Sequence, residues 1–200
     1  KELQLGLNET FHYQLCKNCG SMQLMDPPAG FSRYYPNEDY YSFKLEMKEL
    51  KKPGFLQQAK SEFLLYGKNK LIGSLLSIGY KTPEQYSWVK NTNVHPAESI
   101  LDVGCGNGSL LTQFFKMGFT NLTGIDPFIN EGHDYGPIKI YKKDIRELNE
   151  NFDLIMMHHS LEHMFEPLKA LQKAYSLLNR NKYLLVRIPI MGNYGWQHYK

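Results

Sequence analysis

Ile100-Leu101-Asp102-Val103-Gly104-Cys105-Gly106-Asn107-Gly108-Ser109-Leu110-Leu111 runs from apolar residues to an acid, then three alternating glycines, then a helical pattern. It reads as a strand, a tight turn and a helix start. Glycines suit such a turn because positive φ is open to them and because a ligand can approach a main chain without a Cβ. The amides of the helix start are then expected to be free for a carboxylate or phosphate. A dinucleotide fingerprint would place its third glycine three residues after the second, whereas Gly106 is followed by Gly108, with Ser109 where that glycine would fall.

Further segments extend the pattern. Asn121-Leu122-Thr123-Gly124-Ile125-Asp126 reads as a second strand ending in an acid about 20 residues beyond the turn, where a carboxylate can accept hydrogen bonds from a ribose diol. Pro127 then stops that strand. Lys142-Lys143-Asp144-Ile145 follows, and Phe152-Asp153-Leu154-Ile155-Met156-Met157 forms an apolar strand leading into His158-His159-Ser160-Leu161-Glu162-His163.

The spacing Asp-x-Gly-x-Gly-x-Gly from Asp102 to Gly108 resembles motif I of the class I S-adenosylmethionine-dependent methyltransferases, and the next three segments stand in that family's order. The resemblance implies S-adenosyl-L-methionine as cofactor, held by Asp102, Gly104, Cys105, Gly106, Asp126, Pro127, Asp144, Ile145 and His158. Asp144 would bond the exocyclic amine of adenine and Ile145 would pack on its ring. Cys105 reads as a small apolar filler under the turn, not a nucleophile.

Around these motifs, strands are expected near 98–103, 121–126, 137–141, 152–157 and 182–188, with helices near 108–117 and 165–178. Strands alternating with helices predict an α/β fold, a doubly wound, Rossmann-like and mostly parallel sheet with helices on both faces. Its ligand would lie at the carboxyl ends of the strands. Apolar residues from Phe55 to Ile78 fit a helix or helix pair, opened by Pro53-Gly54 and closed by Gly79. A polar connector with Pro83 and Pro96 follows. Three regions result: an irregular leader at 1–45, a helical flank and connector at 46–96, and a cofactor-binding core at 97–200. The resembled fold has a seven-stranded sheet closed by an antiparallel hairpin, so the chain is expected to be a fragment cut before it. Asn179-Arg180-Asn181-Lys182 replaces that family's Lys-Pro-Gly-Gly turn.

Composition fits an enzyme domain: 200 residues, 42% hydrophobic and 22% charged, are enough for one substantial core with a short appendage. A net charge of +3 with scattered lysines makes no phosphate-tracking stripe, so nucleic acid is not an expected partner. No apolar run approaches the ~20 residues that cross a bilayer, and no secretory signal is present, which favours the cytoplasm and no membrane association.

Cys16-Lys17-Asn18-Cys19-Gly20 is a Cys-x-x-Cys knuckle at zinc-ligand spacing. With Asp26-Pro27-Pro28 and the aromatic run Tyr35, Tyr40, Tyr41 and Phe43, it resembles the zinc-knuckle leader of a methyltransferase subgroup associated with glycan and secondary-metabolite pathways. A structural site needs four ligands; His12 could supply a third and the rest would lie upstream of Lys1. Two free thiols are the competing reading. Tyr34, Tyr35, Tyr40, Tyr41 and Phe43 could also form an aromatic lid for a sulfonium, or simply pack on the sheet.

His159-x-x-Glu162-His163 also matches the inverted zinc metallopeptidase pattern, with the histidines as ligands and the glutamate activating water. A methyltransferase-like domain that binds without turnover is a second alternative. The leading expectation is methyl transfer to a small-molecule acceptor such as a sugar nucleotide or secondary metabolite. A hydroxyl or carbon acid would need a base, and His159 or His158, at the end of the fourth strand, is the right kind of group.

Overall fold

A computed structural model of the chain describes residues 9–26 and 50–190. The lid candidates Tyr34, Tyr35, Tyr40, Tyr41 and Phe43 lie outside the described residues, as do Pro27 and Pro28.

The knuckle is the turn of a small hairpin. Strand β1 (Tyr13–Leu15) pairs antiparallel with β2 (Met22–Leu24). Gly20, at φ +72°, reverses the chain between them, donating to the Cys16 carbonyl at 2.9 Å while Cys16 N–H donates to the Ser21 carbonyl at 2.8 Å.

The flank is a helix pair. Helix α1 (Phe55–Tyr66) ends where Gly67 turns left-handed at φ 66°, and α2 (Lys70–Leu76) follows at once. Gly73 lets the two cross closely, because a Cβ there would stand 2.2 Å from Phe63 Cβ. The expected connector contains a third helix, α3 (Glu84–Thr92), which Pro83 opens. Tyr86 and Val89 on it are buried, and the Tyr86 hydroxyl meets Ser61 Oγ of α1 at 3.0 Å.

The core follows in alternation: β3 (Ile100–Val103), α4 (Ser109–Lys116), β4 (Leu122–Ile125), β5 (His133–Asp134), β6 (Ile138–Tyr141), β7 (Phe152–His158), α5 (Pro167–Leu177) and β8 (Leu178–Arg187). One-turn 3-10 helices at Ile145–Glu147 and Leu161–His163 flank β7. The sheet order is β5-β6-β4-β3-β7-β8, parallel throughout except for the short β5. The expected α/β, doubly wound, mostly parallel sheet is therefore present. Side chains alternate between two covered faces. Ile100, Leu154 and Met156 pack with Phe114 and Phe119 beneath α3 and α4; Leu101, Ile155 and Met157 pack with Ala170 and Ala174 of α5. Each fully buried aliphatic or aromatic side chain contributes about 1.5–3 kcal/mol.

Two expectations about the edges are corrected. β5, unmarked in the sequence, adds an antiparallel edge beside β6. β8 starts at Leu178, directly after α5, so the supposed turn Asn179–Lys182 lies within the strand. The pairing with β7 shifts register between Phe152 and Leu154, and Asn181 takes φ 60°, absorbing the extra residues as a bulge. Asn179 Nδ2 donates to Asp153 Oδ1 at 2.9 Å, and the other oxygen of Asp153 accepts from Ser99 N–H at 2.9 Å, which pins the amino ends of β3, β7 and β8 together.

Candidate functional site

Strand order reverses at β3: the chain moves to β4 on one side and later to β7 on the other. At such a switch point the loops leaving the carboxyl ends diverge and leave a crevice. Here it is a cavity of about 630 Å³. The sequence-predicted residues converge on it from four places: Asp102, Gly104, Cys105 and Gly106 at the end of β3 and in the turn that follows; Asp126 and Pro127 after β4; Asp144 and Ile145 after β6; His158 and His159 where β7 ends.

The glycine turn is built as the sequence implies, with Gly104, Gly106 and Gly108 at φ 77°, 53° and 78°. Four of its amides are paired within the protein. Gly104 N–H and Cys105 N–H donate to the Ile125 carbonyl at 2.8 and 3.2 Å, Gly106 N–H to Asp126 Oδ2 at 3.0 Å, and Gly108 N–H to the Cys105 carbonyl at 3.0 Å. A pyrophosphate needs such donors unpaired. This turn instead presents a carboxylate: Asp126 also accepts from Phe128 N–H at 2.8 Å through Oδ1, which leaves one acceptor direction on each of its oxygens.

Burial pushes the Asp126 carboxyl up, the bonds from Phe128 and Gly106 pulling the other way. Asp102, within β3 and 3% exposed, is driven to about 7 by burial, with the Asp126 charge adding to it. Cys105 lies under the turn against Gly124, where an added Cβ would come within 2.6 Å of its sulfur, and burial raises its thiol well above the ordinary range. It is a packed thiol, not a nucleophile.

Two buried nitrogens of cavity-lining residues, Asn107 Nδ2 and His158 Nδ1, have no hydrogen-bond partner among the described residues. Unmatched buried polar atoms are rare, and in a cavity wall they mark where a polar ligand belongs. The His158 ring lies 5.1 Å from Trp88 of α3 and 4.8 Å from His159. Burial, aided by the Arg187 and His159 charges, lowers its pKa to about 4.

His159 stands at φ 52°, uncommon for a residue with a Cβ, its N–H held by the Arg187 carbonyl at 2.8 Å. Its Nδ1 is 3.5 Å from Glu162 Oε1, and His163 Nε2 is 3.9 Å from the same oxygen. That left-handed residue breaks the helix an inverted metallopeptidase motif requires. Among the described residues no group of three or more His, Cys, Asp or Glu side chains is placed to hold a metal ion. The metallopeptidase alternative is corrected on both counts.

Cys16 and Cys19 sit on the exposed hairpin and are not among the cavity-lining residues. Cys19 Sγ lies 3.2 Å from Ser21 Oγ, which holds its thiol down to about 7. Sequence reading missed Arg146, Ser160, Glu166 and Lys169, which also line the cavity. Only the position of Ser160, two residues past the end of an apolar strand, was a signal. No helix among the described residues is long and apolar enough to cross a membrane.

Comparison with known proteins adds the following. A family model described as a methyltransferase domain matches residues 52–196. EEF1A lysine methyltransferase 2 of Danio rerio is 46% identical over 39 residues, 20% of this chain and 17% of that protein; the Homo sapiens protein of the same name is 44% identical over 39 residues. The chain thus aligns with about a sixth of the length of these curated relatives. Among solved structures, the plantazolicin methyltransferase BpumL in complex with SAH is 23% identical over 62% of this chain and 55% of that one, with a TM-score of 0.40. Coclaurine N-methyltransferase bound to N-methylheliamine and SAH is 14% identical over 80% of this chain and 53% of that one, with a TM-score of 0.41. The family model runs from α1 through β8, taking in every element that builds the cavity, and the chain belongs to the methyltransferase domain family.

Proposed function

We propose that the cavity binds S-adenosyl-L-methionine and that the protein transfers its methyl group to a small-molecule acceptor in the cytoplasm. The observation that carries this reading is the Asp126 carboxylate, fixed by Gly106 and Phe128 beside a turn in which the amides of Gly104, Cys105, Gly106 and Gly108 are already paired. Such a site suits a ribose diol and a charged amino acid tail better than a pyrophosphate.

Asp126 would accept from the ribose hydroxyls. Asp144 and Ile145 would face the purine, and the orphaned nitrogens of Asn107 and His158 would meet polar groups of the ligand. When bound, the sulfonium supplies an electrophilic methyl carbon, so the protein's work is mainly to align an acceptor and exclude water. His158, held neutral into acid by its burial, serves as a fixed polar wall. His159 is the better placed base: it is more exposed, lines the cavity and has Glu162 at its Nδ1 side to orient the ring. Its other nitrogen would take the proton from an acceptor hydroxyl or carbon acid.

The small-molecule reading rests on the cavity's size, which is in the range of small-ligand pockets. Isothermal titration with S-adenosylhomocysteine and with NAD tests the cofactor. Binding of NAD without the adenosyl thioether overturns the reading. A labelled-methyl screen over small molecules and proteins then tests the acceptor class.

A further inference from the structure

Beside the stretch of cavity wall that His158 and His159 form, side chains of α3 and β8 stack in a row. Arg187 Nη1 lies 3.0 Å from Glu84 Oε2 in the first turn of α3, and its guanidinium carbon stands 5.0 Å from the centre of the Trp88 ring. Trp88 lies one turn further along α3. Its ring is 5.1 Å from that of His158, which meets the His159 ring edge-on at 4.8 Å. The Arg187 carbonyl also accepts from His159 N–H at 2.8 Å, so one residue of β8 reaches both ends of the row. Glu84, Trp88 and Arg187 are not among the cavity-lining residues.

The charged and titratable groups around the His158 ring are Arg187 of β8, Glu84 of α3 and His159 beside it. Glu84 alone favours a charged ring; burial, Arg187 and His159 all oppose one. A large aromatic ring against an imidazole keeps water from it, and an imidazole starved of water gives up its proton. The indole face also attracts a guanidinium, which fixes that cation over Trp88. We infer that Trp88 is a positioning residue of the transfer site: together with Arg187 it holds His158 as an uncharged stretch of wall, so that a cationic sulfonium meets no like charge there. This rests on reading the cavity as the S-adenosylmethionine site. A neutral imidazole tolerates a sulfonium, whereas an imidazolium a few ångströms away repels it. Arg187 itself is offset by Glu84. Helix α3, which carries none of the cavity-lining residues, thereby acts on the chemistry through one side chain.

S-adenosylmethionine and S-adenosylhomocysteine differ by one methyl group and one positive charge, so the ratio of their affinities senses the charge of the wall. Calorimetric titration of the whole chain with both compounds, at pH 8 and pH 5, is run on the parent, Trp88→Ala, Trp88→Phe and Arg187→Gln. Each is repeated with His158→Asn added, so that the response of other groups cancels. In the parent, His158→Asn should leave the pH dependence of the ratio unchanged. In Trp88→Ala and in Arg187→Gln, the sulfonium should lose roughly three- to tenfold more affinity than the thioether on going to pH 5, and that excess should vanish with His158→Asn. Trp88→Phe, which keeps an aromatic cover, should behave as the parent does. Thermal melting checks each fold, and Arg187→Gln, at a side chain 38% exposed, carries the test if Trp88→Ala does not fold. Parent-like pH dependence in the folded variants, or an excess that survives His158→Asn, overturns the inference while leaving the cofactor reading intact. A parent that binds neither compound overturns the cofactor reading itself.

Discussion

Ser160 Oγ donates to the Val103 carbonyl at 2.6 Å, and Ser160 Cβ stands 2.5 Å from where a side chain on Gly104 would begin. The loop leaving β7 is thereby stapled over the turn leaving β3, and two walls of the cavity share one seam. Gly104 is required twice, by its φ of 77° and by this close approach.

Gly104→Ala should therefore destabilise the fold by roughly 2–4 kcal/mol, combining left-handed strain with overpacking. Adding Ser160→Gly removes the obstacle but not the strain, so the double variant should recover part of the loss beyond additivity. Urea unfolding of the four proteins in the cycle measures this. A coupling energy of zero would show that Ser160 is not what Gly104 makes room for.

Asp126→Ala should weaken S-adenosylhomocysteine binding by about 1–3 kcal/mol, the cost of losing a hydrogen-bonded charged acceptor. From sequence alone this variant is expected to leave the fold untouched. The structure alters that expectation, because Asp126 also satisfies Gly106 N–H and Phe128 N–H. A lower melting temperature should accompany the weaker binding, with Asp126→Asn, which keeps one acceptor oxygen, falling between. Unchanged calorimetric affinity in Asp126→Ala would rule out the ribose-holding role.

What the sequence reveals here is what is local. Three glycines after an apolar strand, and an acid ending the next, carry their conformational meaning in a few residues, and these place the cavity at the ends of β3 and β4. Helix α3 escapes notice because its buried positions Tyr86, Val89 and Thr92 are interleaved with polar residues over only nine positions. The turn at Asn179–Lys182 reads as a break, yet Asn181 tolerates a left-handed φ inside a bulge, so the strand runs through it. The pairing of the glycine-turn amides depends on the Ile125 carbonyl and on Asp126, which reach the turn only through the β3–β4 pairing. The contact of Arg146 Nε with Asp144 Oδ1, at 2.7 Å, depends on a side-chain rotamer, which spacing does not encode.

Asp102 should make stability depend on pH. Its carboxyl titrates at about 7 in the fold, against near 3.9 for an unfolded aspartate. A folded pKa above the unfolded one means stability is full below about pH 4 and is lost as pH rises through about 7. Asp102→Asn, similar in shape and never charged, escapes that loss. At pH 8 the variant should exceed the parent by on the order of 2–4 kcal/mol, and at pH 4 the two should coincide. Urea midpoints at pH 4, 6 and 8 decide it; a gap that does not change with pH would mean that Asp102 does not titrate in this range.

Metal should be incidental to the cavity. Cys16 and Cys19 are exposed on the hairpin, and the described residues bring no cluster of three metal-ligating side chains together there or at His159 and His163. Two thiolates fill half of a tetrahedral zinc shell, so the 200-residue chain should hold well under one equivalent of zinc. Methyl transfer from a sulfonium needs no Lewis acid, so a chelator should leave both adenosyl-thioether binding and turnover unchanged. Elemental analysis of the parent, Cys16→Ser and His163→Ala separates the outcomes. Stoichiometric zinc lost only with Cys16→Ser would show that the hairpin completes its shell locally, with His12 the first ligand to suspect. Stoichiometric zinc lost only with His163→Ala would place a metal at the lip of the cavity and remove His159 from the role of free base.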